Sequence, residues 1–182
     1  MKAHPKKTAS LCIVLFIALI TQLNAQTTTG TTKLDVVLSS VLSITVNNAT
    51  VTLNFNNLSD YQNGASSALT NHLTLTSILP YTVSVKAAGT TLTGVADNTK
   101  SILASAVSIT APTGTNNDVL PGKTLSTVAA LSNSDQALIT GSYAIALPAD
   151  VTYSIPSNKV SEVLGKPVDT YTVNLTYTIT NP

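Results

Sequence analysis

Apolar and polar residues alternate with a period of two along most of the chain. In the last segment, threonine or asparagine occupies nearly every position between the apolar ones. Successive side chains of a β-strand point to opposite faces, so this spacing predicts a strand with one buried and one solvated face. The apolar positions of this segment are Tyr171, Val173, Leu175, Tyr177 and Ile179.

A long run of the same parity occupies residues 34–46, with Ser40 at its midpoint. The run is long for one strand, so we expect a bend or a change of sheet near Ser39 and Ser40. Its apolar positions are Leu34, Val36, Leu38, Leu42, Ile44 and Val46. Further predicted strands cover residues 51–55, 72–77, 81–87, 102–111, 136–140, 143–147 and 151–155.

The spacers between these runs are rich in Asn, Gly and Pro, which accept or impose turn dihedrals. No stretch shows three turns of helical periodicity. Eight to ten short strands without intervening helices indicate an all-β fold, an antiparallel β-sandwich rather than a parallel sheet.

The N-terminus has the three zones of a secretory signal peptide. Three lysines precede an apolar run at residues 11–20, and Ala25 offers a small residue before the cleavage point. That run is about half the roughly 20 residues that a membrane-spanning helix needs. We therefore predict a signal peptide at 1–25, a Thr-rich flexible leader at 26–32 and one domain at 33–182. The predicted location is the periplasm, the cell surface or the medium, with no transmembrane segment after cleavage.

Charge and cysteine content exclude several function classes. The chain has nine Lys and Arg residues, all of them lysine, and three lie in the signal peptide; the six that remain against eight acidic residues give about −2. Nucleic-acid binding needs clustered basic residues, so we do not expect it. Cys12 is the only cysteine and lies in the signal peptide, so disulfides, Cys-based metal sites and thiol nucleophiles are not expected in the mature chain.

The remaining residue types offer little catalytic chemistry. His72 is the one histidine after the signal, and the alternation places it on the solvated face beside Thr74 and Thr76. The acidic residues are isolated and lie mostly in turns, where Asp binds local backbone. The best loop cluster for calcium, residues 116–118 (NND), does not resemble a dense oxygen cage. We predict a protein that is not an enzyme and uses no cofactor; we assign no metal site, and calcium binding stays open.

Tyrosines are the main aromatic residues. Tyr171 and Tyr177 follow the apolar parity and are expected in the core. Tyr61 lies beside Asp60 and Asn63 in a predicted loop, so these three residues are the candidate ligand contacts.

Two segments resemble known families of exported bacterial proteins. Residues 165–182 (GKPVDTYTVNLTYTITNP) are similar to the last strand of WxL-type cell-surface domains, and residues 73–77 (LTLTS) with 81–85 (YTVSV) resemble an earlier motif of theirs. Spore coat U-like and fimbrial-type proteins share the terminal pattern. The resemblance implies an immunoglobulin-like sandwich displayed outside the cell, and for WxL domains attachment to peptidoglycan. This chain departs from them at both motif tryptophans, where Tyr81 and Tyr177 stand.

Three functions remain open. The first is a structural or adhesive protein of the bacterial envelope, with envelope components as partners. The second is a binding module for carbohydrate, such as a cell-wall polysaccharide. The third is a pilus-type subunit that forms homo-oligomers by strand donation, in which an alternating segment completes a neighbour's sheet. Residues 34–46 are the candidate donor, provided that they do not pair within their own chain.

Overall fold

A computed structural model describes residues 28–182. The predicted signal peptide at 1–25 lies outside the described residues. The chain divides into two units, one ending at Leu38 and one covering Ser39–Pro182. The described part of the first unit, residues 28–38, contains no helix or strand, and Lys33 and Asp35 form an exposed ion pair of 3.0 Å within it.

Strands are the main regular secondary structure of the second unit. They are β1 (Leu42–Val46), β2 (Gly64–Ser77), β3 (Tyr81–Ala87), β4 (Thr91–Gly94), β5 (Ser101–Leu103), β6 (Ser108–Thr110), β7 (Thr124–Leu125), β8 (Thr127–Val128), β9 (Gln136–Gly141), β10 (Ala144–Pro156), β11 (Tyr171–Thr172) and β12 (Leu175–Thr180). Two short α-helices, α1 (Leu58–Asn63) and α2 (Thr115–Asp118), and two 3₁₀ segments, Ala104–Ala106 and Ser157–Glu162, connect them.

The strands form three sheets, and every pairing between them is antiparallel. One sheet has the order β1-β2-β10-β6-β8, the second β12-β3-β9-β7 and the third β11-β4-β5. The predicted all-β, antiparallel class is therefore confirmed.

Alternation within the strands supplies the core. In β3, Tyr81, Val83 and Val85 are buried while the residues between them are only partly so. Leu73 and Leu75 of β2 are fully buried, and they belong with the β3 residues to one apolar cluster. Both larger sheets thus contribute to the same core, which is consistent with a sandwich.

The long pair β2 and β10 runs from Gly64 opposite Pro156 to Ser77 opposite Ala144. Its register shifts twice, between Ala144 and Leu147 and between Ala149 and Val151. Such bulges leave backbone groups without ladder partners.

Asn117 of α2 satisfies the bulge at Asp150. Its amide donates to the carbonyl oxygens of Asp150 (2.9 Å) and Pro112 (2.7 Å), and its Oδ1 accepts from the Asp150 backbone N–H (2.9 Å). The Asp150 carboxylate accepts from Asn71 N–H and from the Asn116 amide. Asn116 and Asn117, considered above for calcium, thus bind protein groups that hold β10 in place.

Several predicted strands differ from the observed ones. The run at 34–46 was expected to bend or change sheet near Ser39 and Ser40, but residues 34–41 belong to no strand and pairing begins at Leu42. The last alternating segment is split, since Val173 and Asn174 separate β11 from β12. Residues 51–55, which were predicted as a strand, belong to none.

Candidate functional site

Residues 50–56, here called the covering segment, connect β1 to α1 and run without secondary structure. Val51, Leu53 and Phe55 are half-buried against the core, and the residues between them are exposed. Within the described part of the chain, no backbone hydrogen bond joins the covering segment to another segment. The segment therefore has the side-chain pattern of a strand but lacks the ladder of one.

A cleft of about 510 Å³ lies beside the covering segment. Its other wall is residues 166–173 with Leu175, and its floor includes Leu92, Ile102 and Ile155. A second cavity of about 550 Å³ lies towards Val46 and shares Thr50, Val51 and residues 172, 173 and 175 with the cleft. Unfilled space thus borders the covering segment in two adjacent places, and apolar side chains line much of it.

Two sheet edges adjoin this space. β1 is an edge strand of the five-stranded sheet, and β12 is an edge strand of the four-stranded one. Val46 of β1 and Tyr177 of β12 both line the second cavity, and Leu175 of β12 lines both spaces. An edge strand presents unpaired N–H and C=O groups, to which a further strand can add.

Asp169 fixes the opposite wall of the cleft. Its carboxylate accepts hydrogen bonds from the backbone N–H groups of Ala96 (3.0 Å), Asp97 (3.1 Å) and Thr170 (2.7 Å). These backbone donors, led by Ala96, lower the pKa of Asp169 below its ordinary value. The wall is thereby attached to the turn that follows β4.

His72 was expected on the solvated face, and this prediction is wrong. The residue is 1% exposed, and its Nε2 lies 2.7 Å from the Tyr153 hydroxyl. The preceding residue, Asn71, has a φ of 53°, which interrupts the alternation of β2 and turns the His72 side chain inward. Tyr177 of β12 makes a short hydrogen bond to the same Tyr153 hydroxyl.

These contacts fix the state of the ring. The Asn48 Oδ1 lies 3.3 Å from Nδ1 and can only accept, so Nδ1 carries the proton and Nε2 accepts from Tyr153. Burial lowers the pKa of His72, and burial raises the pKa of Tyr153 to about 12. Burial also raises the pKa of Tyr177, with a further contribution from Tyr153. The network is thus neutral and bridges β2, β10 and β12.

The lowered pKa of His72 predicts that acid destabilises the fold. The unfolded state takes up a proton near pH 6.5 and the folded state only at lower pH, so the stability present above pH 6.5 is lost as pH falls towards the folded pKa. The slope is at most about 1.4 kcal/mol per pH unit. Urea unfolding of the wild type and His72→Gln between pH 7.5 and 5 measures it.

In that experiment the His72→Gln protein should be less stable at pH 7.5 but should lack this slope. Asp97 and Asp169, whose pKa values hydrogen bonds lower from 3.8, titrate below this range. An equal slope in both proteins would contradict the assignment to His72.

The candidate ligand contacts Asp60, Tyr61 and Asn63 lie on helix α1 rather than in a loop. Asp60 completes a capping box with Asn57, and Asn63 donates to Ser59 Oγ at 3.0 Å. Their side chains therefore serve the helix itself. Tyr61 lines the cleft, is 39% exposed and has its ring centroid 5.2 Å from that of Phe55.

The candidate donor residues divide into two groups. Leu42, Ile44 and Val46 form β1 and pair with β2 of their own chain. Leu34, Val36 and Leu38 belong to no strand and are 84%, 74% and 84% exposed. Only residues 34–38, here called the donor segment, meet the condition that the sequence analysis placed on a donor.

Sequence comparisons add no relative to these findings. The chain matches no model of a known protein family, and no curated protein sequence is significantly similar to it. Among residues 28–182, no helix is long and apolar enough to cross a membrane. In the same range, no group of three or more His, Cys, Asp or Glu side chains is placed to hold a metal ion.

Proposed function

We propose that this chain is a non-enzymatic structural protein of the bacterial envelope, an exported immunoglobulin-like sandwich that self-associates by strand addition. The observation that carries the proposal is the donor segment. It presents three large apolar side chains with a spacing of two, all at least 74% exposed, and makes no backbone ladder.

Strand addition would give the donor segment backbone hydrogen-bond partners and would bury its apolar side chains. Pairing with a sheet edge gives its N–H and C=O groups partners and shields one row of side chains from water. Only 9% of the residues are charged, so electrostatic repulsion between copies is weak.

The surroundings of His72 support a role without catalysis. A hydrolytic triad needs a histidine between a nucleophile and an orienting acid. His72 instead contacts Asn48 and Tyr153, and the hydroxyl of Tyr153 is engaged by Tyr177.

Light scattering of the purified protein over a wide concentration range tests the proposal. We expect the molar mass to rise above that of the monomer, and Val36→Lys to restore the monomer because a buried charge opposes pairing. Val37→Lys is the matched control, since Val37 is 86% exposed and belongs to the opposite parity. A wild type that stays monomeric, or equal loss in both variants, would overturn the proposal.

A carbohydrate-binding module is the second candidate. One observation favours it: the partly exposed Tyr61 ring lies beside Phe55 where both line the cleft, as aromatic residues do in many ligand sites. Retention of a monomeric wild type on a cell-wall polysaccharide column would favour this candidate over self-association.

A further inference from the structure

We infer that the cleft is the acceptor: the donor segment of a second copy adds to the free edge of β12 and displaces the covering segment. The inference rests on the proposed function and specifies its partner and its site.

One edge of β12 is free of backbone pairing with any part of residues 28–182. β12 pairs with β3 along six residues, from Leu175 opposite Ala87 to Thr180 opposite Thr82. Within the described residues, no backbone ladder occupies its other edge. The covering segment lines the same spaces as Leu175 but forms no hydrogen bond to it. The β12 edge near Leu175 is therefore covered by side chains and not paired.

The donor segment and the covering segment space their apolar side chains alike. The core contacts of the covering segment come from Val51, Leu53 and Phe55, at intervals of two residues. The donor segment offers Leu34, Val36 and Leu38 at the same intervals. A β-strand in either position would direct three large apolar side chains to one face. The donor can thus enter the apolar positions that the covering segment now occupies.

The covering segment is anchored at both ends by residues outside it. On one side the covering segment is preceded by Asn47, whose backbone N–H donates to the His72 carbonyl and whose amide donates to the Asn71 carbonyl. On the other side it is followed by Asn57, the N-cap of α1. Both anchors lie outside residues 50–56. The Asn56 N–H donates to Asp60 Oδ2 of α1 at 2.8 Å, so residues 50–55 can leave while β1 and α1 keep their hydrogen bonds.

Strand donation of this kind would join two different surfaces of the chain. Just before β1, the Val41 carbonyl accepts a hydrogen bond from Ile78 N–H. Val46, at the other end of β1, lines the second cavity. The donor segment precedes β1 in its own copy, whereas the acceptor is the β12 edge of another copy, so the two contacting surfaces differ. Head-to-tail contacts of this kind are heterologous and build open chains or rings.

Disulfide trapping between two variants tests the acceptor. Val36→Cys and Leu175→Cys proteins are unfolded in denaturant, mixed, refolded together and oxidised. Inward-facing residues of neighbouring strands lie within reach of a disulfide, so we expect a dimer on a non-reducing gel that reductant dissolves. Val37→Cys mixed with Leu175→Cys is the control, because Val37 would face away. Circular dichroism checks that each variant folds. Val173→Cys provides a second acceptor position, to be tested in the same way.

The outcomes separate the inference from the proposed function. A dimer specific to the Val36 pair supports the acceptor, and no greater trapping than with Val37 at either acceptor position overturns it. If trapping fails while Val36→Lys still abolishes oligomers, strand donation stands and only the acceptor is wrong. If the wild type is monomeric, both fail.

Discussion

The Asn117→Ala protein should be much less stable than the wild type and should unfold at a far lower urea concentration. Asn117 is fully buried, and its side chain is the partner of three backbone groups, in Pro112 and Asp150. Each buried group left unpaired costs about 1–3 kcal/mol, so we expect a loss of about 3–5 kcal/mol. Domains have only about 5–15 kcal/mol to lose.

Asn98→Ala is the matched control, since Asn98 is exposed and should change stability by less than about 0.5 kcal/mol. Asn117→Asp should also destabilise, because a carboxylate cannot donate to the two carbonyl oxygens. If Asn117→Ala unfolds with the same midpoint as Asn98→Ala, the bulge in β10 does not depend on α2.

The second large effect is expected from Gly64→Ala at the start of β2. Gly64 has φ 87° and ψ 173°, a conformation that is essentially restricted to glycine. An added Cβ would overlap the Ile155 carbonyl oxygen and lie 2.9 Å from the Pro156 carbonyl carbon. We expect a loss of about 3 kcal/mol or more, since strain alone costs about 1–3 kcal/mol and the overlapping atoms are backbone.

Gly89→Ala provides the comparison for the same chemical change. The nearest atom to an added Cβ at Gly89 is the Thr91 carbonyl oxygen at 3.9 Å, so stability should change little. Thermal unfolding of both variants followed by circular dichroism decides the matter. Similar melting temperatures would show that the start of β2 relaxes around the added methyl group.

Local alternation predicted the parts of the fold that depend on local geometry. Tyr81, Val83 and Val85 are buried as their parity indicated, because alternate side chains of a regular strand point to the same face, which here packs on the core. The same reasoning failed one residue after Asn71, where a positive φ breaks the alternation. The residues around His72 do not predict the positive φ of Asn71, although Asn is among the residues that adopt a positive φ most readily.

Pairing was harder to predict than burial. Residues 51–55 have the alternation of a strand, and their apolar side chains do face the core. Whether an edge lies within hydrogen-bonding reach depends on the three-dimensional path of the chain, which periodicity does not contain. The cleft could not be predicted for the same reason, since residues far apart in sequence form its walls.

Helix α1 could have been found in the sequence. Asn57 followed by Asp60 three positions later is the pattern of a capping box, in which each side chain binds the other residue's backbone N–H. Reading residues 60–63 as a loop overlooked this signal. The result is that Asp60 and Asn63 have structural partners, whereas Tyr61 alone of the three lines the cleft.

The pairing of β2 with β10 also governs the order in which the fold can form. Asn71 binds Asp150 from 79 positions away, and His72 binds Tyr153 from 81 positions away. The entropy cost of closing such long loops is incurred before the stabilising contacts form. Domains of high contact order therefore fold slowly. A chain that emerges N-terminus first would hold β2 without its principal partner until residue 156 had followed. During that interval the exposed edge of β2 is the part of the chain most in need of protection from aggregation.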